Sequence, residues 1–474
     1  MSNLSTSLDS AGQALGVYQQ ALNVVQNNIT NANTPGYASQ SLNLTAQPFD
    51  LVSGLAGGVA ATGLDSARDE YAEEEVRRQL SSLGTYEAQA QATGAVGAYF
   101  DPSGNTGVPA DLNQLFQSFS AWSLNPNDLS SQQQVLASAG NLASSVQALS
   151  ASLLQADQNT QTQISDTVQQ VNNLTAQIQQ LNIQQGQDPQ SNPGLDAQMH
   201  NALQQLSELV DFSQIKQSDG SVTVVLSGGT PLVIGDKQYA LSTAVAVPAG
   251  SVNPQAPPTS QILDSSGKDV TSQITGGKLS GYLDTHNNVL ASILGDGQQA
   301  GSFNQFVKNL ADTVNGILTS GTVSVAAGAA NGLKLFTYNN ADPTLAASTF
   351  AVNSSITPAT LAPVDAAGNS NGNALKLASL ANSTTNGGIN GQTFTQFLAG
   401  ISQFVGSANA TATTNQQSQQ QIVTQTESLR DQTSAVSLDQ QAIQLEQYQK
   451  SYEAVAKLIN VINSLMQTTI DMVQ

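Results

Sequence analysis

The sequence predicts a mainly α protein with β insertions: N- and C-terminal coiled-coil helices packing together, a long-helix bundle domain, and a β-rich outer domain inserted in the middle. Three observations predict this. Apolar residues recur at alternating steps of 3 and 4 at both ends of the chain. A helical apolar stripe with an uncharged Gln/Asn face runs through 162–185. Between the ends, β-branched residues alternate around Asp219-Gly220 and Gly228-Gly229, both hairpin signals.

The N-terminal seam is Leu4, Leu8, Ala11, Leu15, Tyr18, Leu22, Val25, Ile29 and Ala32, about four heptads of a/d spacing. At about 1.5 Å per residue such a helix is roughly 45 Å long. Gly12, Gly16 and the Asn and Thr residues near its end lower its propensity, so it needs a partner to be stable. The C-terminal seam is Leu445, Tyr448, Tyr452, Val455, Ile459, Ile462 and Met466, with Val473 in phase. Leu458, Val461, Leu465 and Met472 widen that stripe. The economical expectation is that the two ends pack on each other, or on copies of each other.

The first helix runs into NNITNANTPGYASQ (27–40). Pro presets φ at the second position of a turn and Gly permits positive φ at the third, so Pro35-Gly36 should stop the helix sharply. Asn23, Asn27, Asn28 and Asn31 are expected to offer lateral contacts to neighbouring subunits.

The organisation read along the chain is nested. It comprises a coiled-coil helix at 1–34, a loop/strand segment at 35–64, and the first part of a helical bundle at 65–210. A β-rich outer domain at 211–276, a helical return at 277–318 and a second β-rich segment at 319–372 follow. The last part of the bundle at 373–435 and a coiled-coil helix at 436–474 complete it.

Composition excludes several functions. The net charge is −20, from 33 acidic and 13 basic residues, which leaves no basic footprint for nucleic acid or an anionic membrane surface. There is no cysteine, so disulfides and thiolate metal sites are excluded. The N-terminus has neither a basic region nor an apolar run of signal-peptide type, and no stretch reaches 18 apolar residues. His200 and His286 stand far apart and form no metal-binding spacing. Each reads as a surface or helix-packing residue. No nucleophile elbow, phosphate loop or dinucleotide fingerprint is present. Asp69, Glu70, Glu73, Glu74 and Glu75 lack the alternation and glycine of a calcium loop and read as a solvated helix face. No catalytic residue, cofactor or metal is expected, and the chain does not read as an enzyme.

ALNVVQNNITNANTPGYASQ (21–40) resembles the N-terminal signature of bacterial flagellar rod and hook axial proteins, with Asn31, Asn33, Thr34, Pro35, Gly36 and Tyr37 forming its turn motif. Tyr448-Gln449-Lys450-Ser451-Tyr452-Glu453-Ala454 resembles the matching C-terminal segment. DLNQLFQSFSAWSLNPNDLSSQQQVLASAGNLASSVQ (111–147), GKLSGYLDTHNNVL (277–290) and SAVSLDQQ (434–441) resemble segments of the hook-associated protein 1 family. His286-Asn287 stands where that family usually has Arg-Asp, and Ala435, Ser437, Gln440 and Gln441 are further departures.

The resemblance implies a structural junction protein between hook and filament. It implies export through the flagellar type III apparatus without a signal peptide, and assembly as a homo-oligomeric ring between hook protein and hook-associated protein 3. It also implies an extracellular place on the flagellum and a cytoplasmic export chaperone bound near the C-terminus, for which Leu438, Leu445, Leu458, Ile462 and Leu465 are candidates. The apolar seams of the two terminal helices are the candidate assembly surface. Two other readings stand beside it: another axial subunit, such as a hook or distal rod protein, and a secreted adhesin with a glycan-binding β domain.

Overall fold

The computed structural model describes residues 2–50, 55–100, 105–187, 192–217, 219–247, 249–385 and 388–472. Helix α1 (Ser2–Asn31) leads into a two-stranded antiparallel ribbon, β1 (Gln40–Asp50) and β2 (Leu55–Ser66). Helices α2 (Glu70–Gly97), α3 (Gly107–Leu124), α4 (Leu129–Gln187) and α5 (Pro193–Leu209) follow. Asp69 caps α2 by accepting from the backbone N–H groups of Tyr71 and Ala72.

Helix α4 is one continuous element of 59 residues, about 90 Å long. The sequence shows two separate apolar stripes here, but nothing between them breaks a helix. The stripes serve two different cores. Leu142, Val146 and Leu153 face one, and Ile164, Val171 and Ile178 the other.

The next unit is a four-stranded antiparallel sheet in the order β3 (Phe212–Lys216), β4 (Val222–Leu226), β5 (Pro231–Ile234), β6 (Lys237–Gln238). Both hairpin signals are used: Gly220 and Gly229 adopt φ of 83° and 86°. A second ribbon pairs β7 (Ser242–Ala246) with β8 (Thr259–Leu263). Helix α6 (Gly277–Asp284) then runs through a π-helical turn, Thr285–Leu290, into α7 (Ala291–Leu294), and α8 (Ser302–Thr319) follows.

The segment 319–372, expected to be β-rich, is mostly irregular. It holds only the two-residue strands β9 (Phe336–Thr337) and β10 (Ala351–Val352) and short 3-10 turns among its described residues. Its polar side chains capture the backbone locally. Asp342, Asn353 and Asp365 accept N–H groups two to four residues on, so those groups are not free for a ladder. Leu335, Phe336, Phe350 and Leu361 nonetheless cover one end of the bundle core.

Helices α9 (Gly372–Ser379), α10 (Phe394–Ser434) and α11 (Leu438–Asp471) complete the chain. One core gathers α3, the first half of α4, α8, α9 and the start of α10 around Phe119, Trp122, Phe303, Phe306 and Phe394. The other gathers α5, α6 and the sheet around the second half of α4. The terminal helices α1 and α11 pack side by side outside both cores, with the Tyr18 and Tyr448 rings 6.5 Å apart. No described helix is long and apolar enough to cross a membrane.

Phe119 is fully buried among α3, α4 and α8. Phe119→Ala should cost about 3–5 kcal/mol, read as a lowered urea midpoint of the intact chain.

Candidate functional site

The segment 27–40 is where the terminal helices meet the body. Thr34 N–H donates to the Asn31 carbonyl at 2.9 Å, and Tyr37 N–H to the Thr34 carbonyl at 3.1 Å. This closes a turn with Pro35 second and Gly36 third. Gly36 has φ 76°, and a Cβ there would collide with the Ala197 carbonyl oxygen of α5. The glycine is needed twice, for its conformation and for that close approach. Asn33 and Thr34 stay exposed, as does Pro35.

Asn28 decides the local geometry. Its side chain is 0% exposed. Its amide Nδ2 donates to the Gln40 carbonyl at 2.7 Å and to Gln441 Oε1 at 3.0 Å. Its Oδ1 accepts from Gln40 N–H at 3.0 Å and from the Tyr37 hydroxyl at 2.9 Å. All four of its hydrogen-bonding valences are filled. One side chain therefore joins α1, the segment after the turn and α11. Burial raises the Tyr37 hydroxyl above its ordinary pKa, so it stays a donor. Asn28 was expected to face neighbouring subunits; the structure corrects this, because the turn folds Gln40 back over it. Asn31 instead donates to Asn27 Oδ1 at 2.6 Å, and both remain at the surface.

Three chain passages cross here. Ser434, at the end of α10, is buried, accepts from Ser39 N–H at 2.9 Å through its carbonyl, and donates its hydroxyl to the Ala67 carbonyl at 3.2 Å. Gln40 Nε2 donates to Ser66 Oγ at 3.2 Å. Next to them Arg68 donates to the Gly36 carbonyl at 2.6 Å and pairs with Glu73 at 2.7 Å and Asp196 at 2.8 Å. Arg430 approaches Glu73 at 3.7 Å. Glu73 is therefore buried, a correction to the solvated face expected for the acidic run: Arg68, just before α2, and Arg430, from the end of α10, converge on it. Nearby, burial pushes the Arg77 guanidinium below its usual range, against the pull of Glu73, Glu70 and Glu74.

Both histidines are buried, His200 in this cluster and His286 on the π-turn. Burial, then Arg68 and its neighbouring cations, hold His200 well below its ordinary pKa.

The seams come together as follows. On α1, Val25 is buried and Leu4, Leu8, Leu15, Tyr18 and Leu22 are half-buried, while Ile29 is 38% exposed. Burial instead centres on Ala11, Ala14, Val17, Ala21, Val25 and Asn28. The shift arises because α1 is covered on two flanks, by α11 and by the ribbon, where Ser10 Oγ donates to the Gly57 carbonyl at 2.6 Å. A heptad seam anticipates only one flank. On α11, Leu445, Tyr448, Tyr452, Val455, Ile459 and Met466 are half-buried and Ile462 is buried. Leu458, Val461, Leu465 and Met472 lie on the other side, 51%, 56%, 51% and 81% exposed. Val473 lies outside the described residues. Leu438 is also exposed. Among the described residues no group of three or more His, Asp or Glu could hold a metal ion.

A family model for the flagellar hook-associated protein FlgK helical domain matches residues 95–336, just over half of the chain. The chain belongs to the FlgK family of flagellar hook-associated proteins. Models of the flagellar basal body rod protein and of the C-terminal part of the FlgEFG rod proteins match 8–37 and 429–472, the two terminal helices. Flagellar hook-associated protein 1 of Bacillus subtilis is 25% identical over 99% of both chains. That of Salmonella typhimurium is 26% identical over 52% of this chain and 45% of its own. The FlgK structure from Burkholderia pseudomallei, titled a flagellar hook junction protein, superposes with a TM-score of 0.61 over 75% of this chain and 99% of its own, at 17% identity, and so shares the fold. FlgK membership makes the chain a structural component of the flagellum. His286-Asn287 falls on the π-turn of this FlgK-type bundle.

Two outcomes follow. Asn28→Ala strands Gln40, Gln441 and the Tyr37 hydroxyl, so it should weaken docking of the terminal helices by at least about 2 kcal/mol. Limited proteolysis should then cut α1 and α11 faster while the body stays resistant. For His200, the unfolded chain takes up a proton below about pH 6.5 and the folded chain refuses it. The unfolded state then binds more protons, so stability should fall as pH drops below that value, and His200→Gln should flatten this limb of the melting-temperature profile.

Proposed function

We propose that this chain is the structural subunit of the hook–filament junction, assembled as a homo-oligomeric ring between hook protein and hook-associated protein 3. Family membership supports a structural flagellar role. The observation that carries the finer reading is the terminal helix pair. Its inner seam is closed by Asn28 and Gln441, while the outer stripe of α11 remains uncovered in the single chain. An uncovered apolar stripe beside a closed one suits a helix pair that is stable in the subunit and buries its remaining face in an assembly.

In this reading the seams of α1 and α11 form the axial assembly surface and the bundle and strand units lie outside it. Two cores are strung along α4, and the strands of 211–276 share one of them with α5, α6 and the second half of α4. Export by the flagellar type III apparatus and capture by a cytoplasmic chaperone are part of the same proposal. Leu438, Leu458 and Leu465 are open to a chaperone on the folded helix. Ile462 and the half-buried Leu445 become available only when α11 leaves α1.

A strain lacking the gene should build hooks and shed filament protein into the medium. Absence of hooks would favour a hook or rod subunit instead. Leu458→Gln with Leu465→Gln should leave the melting temperature of the purified chain within about 2 °C, because exposed sites change stability little. The same pair should abolish swimming on complementation. Full motility with this variant would remove the outer stripe from the assembly surface.

A further inference from the structure

Of the four arginines, Arg68, Arg78 and Arg430 each pair with a carboxylate. Arg77 pairs with none among the described residues, although only 8% of it is exposed. Its Nη1 is sealed from solvent with no hydrogen-bond partner. It lines a cleft of about 380 Å³ between α2, the start of β3 and Ser207 of α5. Gln214 of β3 lines the same cleft, and its Oε1 is likewise sealed and unpartnered. Charges balance along the walls, with Glu70, Glu74 and Asp211 against Arg77, Arg78 and Lys216. Glu70 is held by Lys216 at 3.3 Å, and Asp211 accepts from the Thr275 hydroxyl at 3.0 Å. The cleft therefore has no net charge to offer an anion. Nη1 needs an acceptor and Oε1 needs a donor, and a carboxamide supplies both.

The lip of this cleft is an open strand edge. β3 is the outermost strand of its sheet. Gln217 N–H donates to the Ser221 carbonyl at 2.8 Å. Bonded and non-bonded pairs alternate in an antiparallel ladder, so Ile215 and Ser213 bond to β4 while Gln214 and Lys216 turn their N–H and C=O outward. Val222, opposite Lys216, agrees with this, because both its backbone groups are taken by Asn182. Among the described residues nothing pairs with the outward backbone groups of Gln214 and Lys216. Such an edge is a template for a further strand.

Strand β1 matches it. β1 is paired on one side only, by β2. No charged residue lies between Gln40 and Phe49. Every residue from Thr45 to Phe49 is exposed, Phe49 by 67%. Asn43 is already engaged, donating to Asp65 Oδ2 at 2.6 Å. Gln47 makes no side-chain hydrogen bond among the described residues, so its carboxamide is free. In the single chain α1 holds the ribbon through Ser10 and Gln47 stands in solvent. A strand that fills the cleft therefore comes from a second copy.

We propose that β1 of a second copy lies along β3, pairing its main chain with Gln214 and Lys216, and that its Gln47 carboxamide enters the cleft to accept from Arg77 Nη1 and donate to Gln214 Oε1. This rests on the proposed assembly of the chain with copies of itself.

The probe is a synthetic peptide of residues 41–49, SLNLTAQPF, blocked at both ends and added to the intact chain labelled with 15N-lysine. The Lys216 amide, assigned with Lys216→Arg, should shift saturably in the millimolar range. The same peptide carrying Gln47→Leu should bind about tenfold more weakly, for loss of a hydrogen bond to a charged group. Gln214→Pro should abolish binding and keep the fold, because that N–H lies outside the β3–β4 ladder. An unmoved Lys216 amide overturns the proposal, and so does equal binding of the two peptides. Binding to the Gln214→Pro chain also overturns it. If that variant does not fold, the two peptides on the parent chain decide. The peptide needs no ring, so its failure removes this contact and leaves the assembly reading to the deletion strain.

Discussion

The structure depends on one repeated interaction: an asparagine on a helix takes the place of a neighbouring strand. Asn28 pairs with both backbone polar groups of Gln40. Asn182 does the same for Val222, Asn172 for Leu241, Asn315 for Phe336 and Asn287 for Ser260. Each case satisfies the N–H and C=O on the side of an extended segment that no strand pairs; Gln40, Val222, Phe336 and Ser260 have a partner strand on their other side. Buried backbone groups must be paired somewhere. In this chain helices do the pairing, which is how short strands and irregular segments can lie against a long-helix bundle.

The same device explains why so little charge is needed. Only 10% of residues are charged, and the ion pairs that matter converge where three passages of chain cross beside Gly36. Arg68 and Arg430 reach Glu73 from different elements, and Arg68 also holds Asp196 and the Gly36 carbonyl. A buried pair of this kind is costly to break, because removing one partner leaves the other uncompensated. The turn is thereby tied to α5 and α10, and through Asn28 to α11. The terminal helices join the body through a stitched crossing and not a free linker.

Of the two buried histidines, His200 makes the fold sensitive to acid. His200 sits among cations and is kept neutral, so its stabilising contribution belongs to neutral and alkaline solution. His200 sits at the crossing with the terminal helices, and His286 lies on the π-turn between the two cores.

The sequence by itself determined the two terminal helices, the hairpins and the turn between α1 and the ribbon. Heptad spacing marked both terminal helices, Asp219-Gly220 and Gly228-Gly229 marked the hairpins, and Pro35-Gly36 marked the sharp stop after α1. Those features are local, set by side-chain period and by φ, and can be read within a few residues. The flagellar motifs were legible for the same reason. What the sequence left open depended on segments far apart in the chain. Ile29 is exposed because the ribbon covers the other flank of α1, and Glu73 is buried because Arg430 arrives from some 350 residues away. Asn28 reads as a surface residue until Gln40 and Gln441 close over it. The segment 319–372 lost its expected strands because its own Asp and Asn side chains occupied the backbone. Only the tertiary structure could decide these, since a polar side chain goes wherever an unpaired backbone group lies, and that position is fixed by the fold as a whole.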